Sequence, residues 1–254
     1  MLTAPESGRL SIVIPAFNES DKIALDVETA GRFLTEYGLA GEVIVVDDGS
    51  GDRTAQAARR ATLPQGVGRR IIRFDRNRGK GRAVRAGVLS SRGDRVLFAD
   101  SGLCVLWENC LRGLAALQSE DCDIAHGSRR LPGSTIVRPR RLRRRLLSRA
   151  AGALLPMAAG VPTYLTDTQC GFKLYPGDLA RELYRQAVCD GFLFDVEIIL
   201  RARRAGYRIR EFPIEWRSDP DSRLNPVANL PRLTRDFLAI RRALPRHAGS
   251  AGGP

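Results

Sequence analysis

Lysine is nearly missing from this chain: of its 41 basic residues only Lys22, Lys80 and Lys173 are lysines. The arginine bias alone carries no functional weight. Acids are also short, 28 against those 41, so the net charge is +13. That excess favours an anionic partner: nucleic acid, a phosphorylated substrate or an anionic membrane surface. Cysteine is sparse and odd in number, five residues with no C-x-x-C spacing. This excludes a zinc framework or a disulfide scaffold and fits reduced cytosolic thiols. The N-terminal MLTAPESGRL lacks the apolar core of a signal peptide. No run reaches the roughly 18 apolar residues that a membrane-spanning helix needs. These absences place the protein in the cytoplasm, with peripheral attachment to the cytoplasmic membrane face as the membrane option. No G-x-x-x-x-G-K-[ST] is present, which excludes a Walker loop, and no G-x-G-x-x-G follows the first apolar segment, which argues against a dinucleotide dehydrogenase. Aromatics make up 6% of residues, few for a base-stacking surface, so a non-enzymatic nucleic-acid binder is the remote alternative.

What is present is organised around Glu42–Asp52, EVIVVDDGSGD. Val43–Val46 reads as a strand buried on both faces, and the acids and glycines after it place carboxylates at its C-terminal end. Open α/β sheets bind ligands there. Further strands are expected at Leu10–Ile14, Arg70–Phe74, Arg95–Ala99, Asp123–Ala125, Gly171–Tyr175 and Tyr207–Trp216. Helices are expected after Ser20, capped by Asn18 or Ser20, then over Arg53–Ala61 capped by Asp52, Arg82–Ser91, Leu106–Leu117, Arg138–Ala159, Leu193–Arg204 and Leu230–Ala243. Strands alternating with helices imply a mainly parallel, twisted α/β sheet flanked by helices. One domain is expected over 10–245, with a nucleotide-binding half at 10–127 and a second half at 128–245. Residues 1–9 are expected as a flexible N-terminus and 246–254 as a disordered tail.

Three expected strand ends carry acids: Glu19, Asp48 and Asp100. In a sheet ordered 3-2-1-4 they lie side by side at the topological switch point. Carboxylates there accept hydrogen bonds from a base and ribose, or hold a divalent cation against a diphosphate. Asn77–Arg82, NRGKGR, adds cations and flexible backbone at a helix N-terminus, which suits a phosphate.

The set resembles the inverting family 2 glycosyltransferases with the Rossmann-like, nucleotide-sugar-binding GT-A fold. Within that family it is most similar to the dolichyl-phosphate glucosyltransferases and dolichol-phosphate mannose synthases. The matching stretches are SIVIPAFNE at 11–19, VIVVDDGSGDRT at 43–54, NRGKGRAVRAGV at 77–88, RVLFAD at 95–100, HGSRR at 126–130, DTQCGFKLY at 167–175 and GFLFDVEIILRARRAGYRIREFPIEW at 191–216. The resemblance implies that Pro15, Ala16, Glu19 and Asp48 contact the nucleoside of a donor sugar, with Gly79, Lys80 and Gly81 near its ribose and diphosphate. It makes Asp100 the first acid of a D-x-D metal motif for Mg²⁺ or Mn²⁺. The chain departs from that motif, because Gly102 stands where the second acid belongs. DTQCGFKL and FDVE favour UDP-glucose over GDP-mannose.

The implied acceptor is a polyprenyl or dolichyl phosphate. Its attacking oxygen is already anionic, so the site must gather two anions rather than supply a strong base. Arg129 and Arg130, and Arg141 and Arg145 from the arginine-rich stretch 138–149, are the expected acceptor-phosphate residues. The apolar residues after that stretch suit a helix lying in the membrane interface, with a membrane-embedded partner as a further means of attachment. Asp195, Gln169 and Lys173 are the expected catalytic group, with Asp195 facing the cleft. The rival reading is a hydroxyl acceptor on a glycan, lipid or small molecule, for which Asp195 would be a true base.

Overall fold

The computed structural model describes residues 8–138, 160–217 and 230–244. Nine strands and seven helices lie within them. In chain order these are β1 (Leu10–Ala16), α1 (Ile23–Glu36), β2 (Gly41–Asp47), α2 (Thr54–Arg60), β3 (Gly68–Arg73), α3 (Lys80–Ser90), β4 (Arg95–Ala99), α4 (Asn109–Gln118) and β5 (Ile124–Ser128). They continue with β6 (Thr135–Arg138), β7 (Phe172–Pro176), α5 (Gly177–Gln186), α6 (Phe194–Arg204), β8 (Ile209–Pro213), β9 (Glu215–Arg217) and α7 (Leu230–Ala243).

Seven strands form one sheet in the order β3-β2-β1-β4-β7-β5-β8, and β6 and β9 form a small second sheet. The four strands of the N-terminal half are parallel and in the expected order 3-2-1-4. β1 and β2 are buried at every position. Their alternate residues feed two cores. Ile12, Ile14, Val43 and Val45 pack with Ile23, Val27 and Phe33 of α1, while Val13, Ile44 and Val46 pack with Val84 and Val88 of α3. Burial on both faces is the reason these strands read as unbroken β-branched runs.

The C-terminal half departs from parallel order. β7 inserts antiparallel between β4 and β5, bringing Lys173 opposite Phe98 on one side and His126 on the other. The single strand expected over Tyr207–Trp216 is two: β8 ends at Pro213, and β9 crosses to the second sheet to pair with β6. Helix α5 was not expected from the sequence. Its buried Leu179, Ala180, Leu183 and Tyr184 form one stripe among charged residues.

The expected helix caps are also corrected. Lys22, not Asn18 or Ser20, occupies the cap position of α1, and no side chain caps it. Asn18 instead accepts the Gly51 N–H at 2.9 Å, and its own N–H donates to Ser50 Oγ at 2.8 Å. Asp52 lies one residue before the cap position Arg53 and accepts the Thr54 N–H at 2.9 Å. Of the helix expected over 138–159, Arg138 ends strand β6 and the rest lies outside the described residues, as do the terminal segments 1–7 and 245–254. Among the described residues no helix is long and apolar enough to cross a membrane.

Candidate active site

Sheet order brings the ends of β2, β1 and β4 next to one another, and with them Asp48, Glu19 and Asp100. Asp48 is buried at 4% exposure. Its two carboxylate oxygens accept the Arg78 N–H at 2.7 Å and the Gly79 N–H at 2.9 Å. Its own N–H donates to the Ala16 carbonyl at 2.9 Å. One acid therefore fastens the end of β1 to the basic loop before α3. Glu19 is tied in through its backbone, donating to Thr54 Oγ1 at 2.8 Å, and its carboxylate lies 3.8 Å from Lys22 Nζ. Asp47 turns the other way: it accepts the Ser50 N–H at 2.8 Å and faces Arg73.

The loop after β4 is held from both sides. Asp100 donates its N–H to the Gly171 carbonyl at 2.9 Å, and its carboxylate meets Lys80 Nζ at 2.7 Å. A Cβ on residue 171 would lie 2.1 Å from that carboxylate and would push it out of its present position. On the other side, Asp26 of α1 accepts the Gly102 N–H at 2.8 Å and the Leu103 N–H at 2.9 Å. Burial pushes the Asp26 carboxyl up to about 7, against the lowering effect of those two hydrogen bonds.

Beneath Asp100 lies an ion pair almost closed to solvent. Lys173 Nζ donates to Asp195 Oδ1 and, at 2.9 Å, to the Thr168 carbonyl. The two residues are 1% and 4% exposed. Burial raises the Asp195 pKa above the usual carboxylate range, opposed by the cations of Lys173 and then Lys80. Burial opposes the charge of Lys80, but Asp100 and Asp195 outweigh it and its pKa is raised. Two lysines and two aspartates thus form one charge-balanced cluster where β4, β7, α3 and α6 meet. Lys80 also sits 5.4 Å from the centre of the Phe98 ring.

In the C-terminal half, Arg129 grips Asp167 with Nε and Nη2, both at 2.6 Å, and its guanidinium lies over Trp216. Burial favours a neutral Asp167, but Arg129 prevails and the pKa is lowered. Glu211 accepts the N–H groups of Thr166 at 2.9 Å and Asp167 at 2.7 Å. Arg130 donates to the Thr166 carbonyl at 2.7 Å. His126 is buried against Tyr175, and burial holds its pKa well below the usual value.

Comparison with known proteins decides the family. The model of "Glycosyl transferase family 2" matches residues 11–177. The dolichyl-phosphate beta-glucosyltransferase of Saccharomyces cerevisiae is 33% identical over 250 residues, spanning 92% of this chain and 74% of that protein. The human dolichyl-phosphate beta-glucosyltransferase is 32% identical over 244 residues, spanning 92% and 75%. The chain is a family 2 glycosyltransferase. Its fold matches that of the glucosyl-3-phosphoglycerate synthase of Mycobacterium tuberculosis, crystallised with Mn²⁺ and UDP-glucose, at a TM-score of 0.65 and 19% identity over 96% of this chain and 82% of that one.

The transferase brings most of its expected site residues together, though not always in the expected state. Pro15 and Ala16 end β1 beside Asp48, and Lys80, Asp100, Lys173 and Asp195 form the cluster above. Gln169 lies partly exposed in the turn before β7. Gly81 has a packing reason: a Cβ there would lie 2.5 Å from the Cys189 carbonyl and 2.7 Å from Phe194. Arg129, expected as a phosphate cation, is already neutralised by Asp167. Arg141 and Arg145 lie outside the described residues. Sequence reasoning missed Asp26, Gly171 and Glu211. Asp26 left a signal, an acid inside the apolar stripe Ile23, Val27, Ala30. Among the described residues no group of three or more His, Cys, Asp or Glu could hold a metal. Asp100 alone supplies a carboxylate, which suits a hard cation only if phosphate oxygens and water complete its shell.

Proposed function

We propose that the transferase moves glucose from UDP-glucose, with inversion, onto the phosphate of a dolichyl or other polyprenyl phosphate. One observation carries the choice of a phosphate acceptor: Asp195, the acid expected to face the acceptor, is bound by Lys173 in a buried ion pair. Although burial raises its proton affinity, at 4% exposure and already holding Lys173 Nζ it is closed to an incoming hydroxyl as a proton acceptor. An acceptor that arrives as an anion needs none. The names of the relatives, dolichyl-phosphate beta-glucosyltransferases, support the same acceptor and sugar.

In this reading an acceptor phosphate oxygen attacks the anomeric carbon, and the bond from that carbon to the UDP oxygen breaks with its electron pair leaving on UDP. Pro15, Ala16, Glu19 and the loop fastened by Asp48 receive the nucleoside. Gly79 and Lys80 lie beside the diphosphate, with Lys80 offsetting charge that builds on the leaving group. Mg²⁺ or Mn²⁺ held through Asp100 would neutralise diphosphate charge when bound. Lys173 and Gln169 border the transferred sugar, and Lys173 keeps Asp195 in place. Arg130, with Arg141 and Arg145, receives the acceptor phosphate at the membrane surface, where the protein attaches peripherally.

The test is transfer from radiolabelled UDP-glucose to polyprenyl phosphate in detergent, run beside glycan, lipid and small-molecule hydroxyl acceptors. A glucose-bearing lipid phosphate is the expected product. Transfer only to hydroxyl acceptors would replace this reading with the rival one and make Asp195 a base.

A further inference from the structure

The chain lacks the second acid of its D-x-D motif, and the structure shows what stands in the vacated space. Gly102 has φ +86° and Leu103 has φ +48°, two successive residues in the left-handed region. Such a pair turns consecutive N–H groups into one concavity that suits an anion. The acceptor there is the Asp26 carboxyl, reached from the neighbouring helix. Oδ1 and Oδ2 accept the Gly102 N–H at 3.1 and 2.8 Å, and Oδ1 accepts the Leu103 N–H at 2.9 Å. Asp26 is 1% exposed. It is too enclosed, and too fully engaged, to serve as a ligand itself.

We propose that Asp26 is a positioning residue for the metal-bound diphosphate: by gripping Gly102 and Leu103 it sets the turn that aims Asp100, in the role that a second acid on the turn would otherwise share. The left-handed geometry explains the glycine. An aspartate at residue 102 would be strained at that φ and would bring a second negative charge beside Asp26. A leucine in the left-handed region is disfavoured, and it persists here because Asp26 holds its N–H. The turn is anchored elsewhere as well: Thr29 Oγ1 accepts the Trp107 Nε1–H at 2.9 Å, and the Cys104 carbonyl accepts the Arg217 N–H at 2.8 Å. Asp100 itself is held by Lys80 and the Gly171 carbonyl, and the Asp26 carboxyl holds the N–H groups of the turn two and three residues on. The charged groups facing Asp26 are Glu19 and Lys22.

The inference rests on the proposed role of Asp100 as the metal-binding acid, and the test separates the two. UDP binding is measured by calorimetry with and without Mn²⁺ for wild type, Asp26→Asn and Thr29→Val. Thr29→Val removes the Trp107 tether and leaves the Gly102 and Leu103 contacts. In wild type Mn²⁺ should strengthen UDP binding. In Asp26→Asn the Mn²⁺-dependent gain should fall at least about tenfold, while binding of UDP alone stays within about twofold and Thr29→Val keeps the full gain. A wild type with no gain from Mn²⁺ overturns the metal reading of Asp100 and the inference with it. A full wild-type gain retained in Asp26→Asn overturns the role of Asp26 alone. If Asp26→Asn does not fold, hydrogen exchange on the wild type decides: protected Gly102 and Leu103 amides support the clamp, and amides exchanging at free-loop rates overturn it.

Discussion

The two halves of the sheet handle their buried acids differently. In the half built on β3-β2-β1-β4, Asp26 and Asp48 accept hydrogen bonds from backbone N–H groups of loops, and Asp47 and Glu42 do so too while facing the partly exposed Arg73 and Arg70 at 3.4 and 3.8 Å. In the half built on β7-β5-β8, Asp167, Asp195 and Glu197 are each matched to a cation, Arg129, Lys173 and Arg201. Backbone N–H groups are served here as well, by Glu197 at Val188 and Cys189, by Asp167 at Arg129, and by the half-buried Glu211 at Thr166 and Asp167. An acid bound by loop N–H groups shapes that loop. An acid paired with a cation makes a neutral, immobile strut. In the proposed function the first arrangement forms the loops that receive the nucleotide. The second builds a rigid wall behind them. Lys80, paired with Asp100 and attracted by Asp195, is where the halves join.

The strongest test of the contrast is Lys173→Met, which strands Asp195 in the interior. Breaking one partner of a buried pair costs about 3–5 kcal/mol, read by urea unfolding, and transfer should fall at least about a hundredfold. Adding Asp195→Asn should restore much of the stability and little of the activity. Equal recovery of both would mean that the pair is a strut with no part in the site. Next comes Arg129→Ala, at about 3 kcal/mol for lost hydrogen bonds to a charged group. Its pH dependence has a definite sign. Asp167 is held below its ordinary value, so its contribution is present above pH 3.8 and is lost as pH falls through the lowered value. The stability difference between wild type and Arg129→Ala should shrink in acid, and a constant difference would mean that the pairing is not electrostatic.

Gly81→Ala should cost about 2 kcal/mol through overpacking against the Cys189 carbonyl, with a lowered Tm. An unchanged Tm would show that the segment 189–194 yields easily. The smallest effect falls in the N-terminal half. Asp48→Asn keeps the shape and loses one acceptor, so the Kd for UDP should rise about tenfold, about 1.4 kcal/mol, with little change in unfolding. If Asp48→Asn instead unfolds the protein as readily as Lys173→Met does, the contrast between the halves is void.

The N-terminal half was legible in the sequence because its strands are buried on both faces and end on acids. Val43–Val46 and Asp48 could be placed from residue order alone. The C-terminal half was less so. Lys173 reads as a polar residue in a short strand, and nothing local says that β7 runs antiparallel between β4 and β5. α5 hides its apolar stripe among charges, and β8 hands over to β9 at Pro213 without a change in apolar pattern. Arg129 looks like an available cation until Asp167, distant in sequence, is seen against it. Asp26 looks like an ordinary helix residue until the turn after β4 closes over it.

The sequence by itself determined which strands are buried on both faces and which of them end on acids, because backbone pleat, burial and loop composition are local properties, whereas the strand order that sets those acids side by side is tertiary. Only the tertiary structure decided which of the acids and cations are already engaged. That depends on contacts between residues 38 positions apart for Arg129 and Asp167, and 76 for Asp26 and Gly102. The cost of burying a charge allows such partners to be found only once the chain has closed around them.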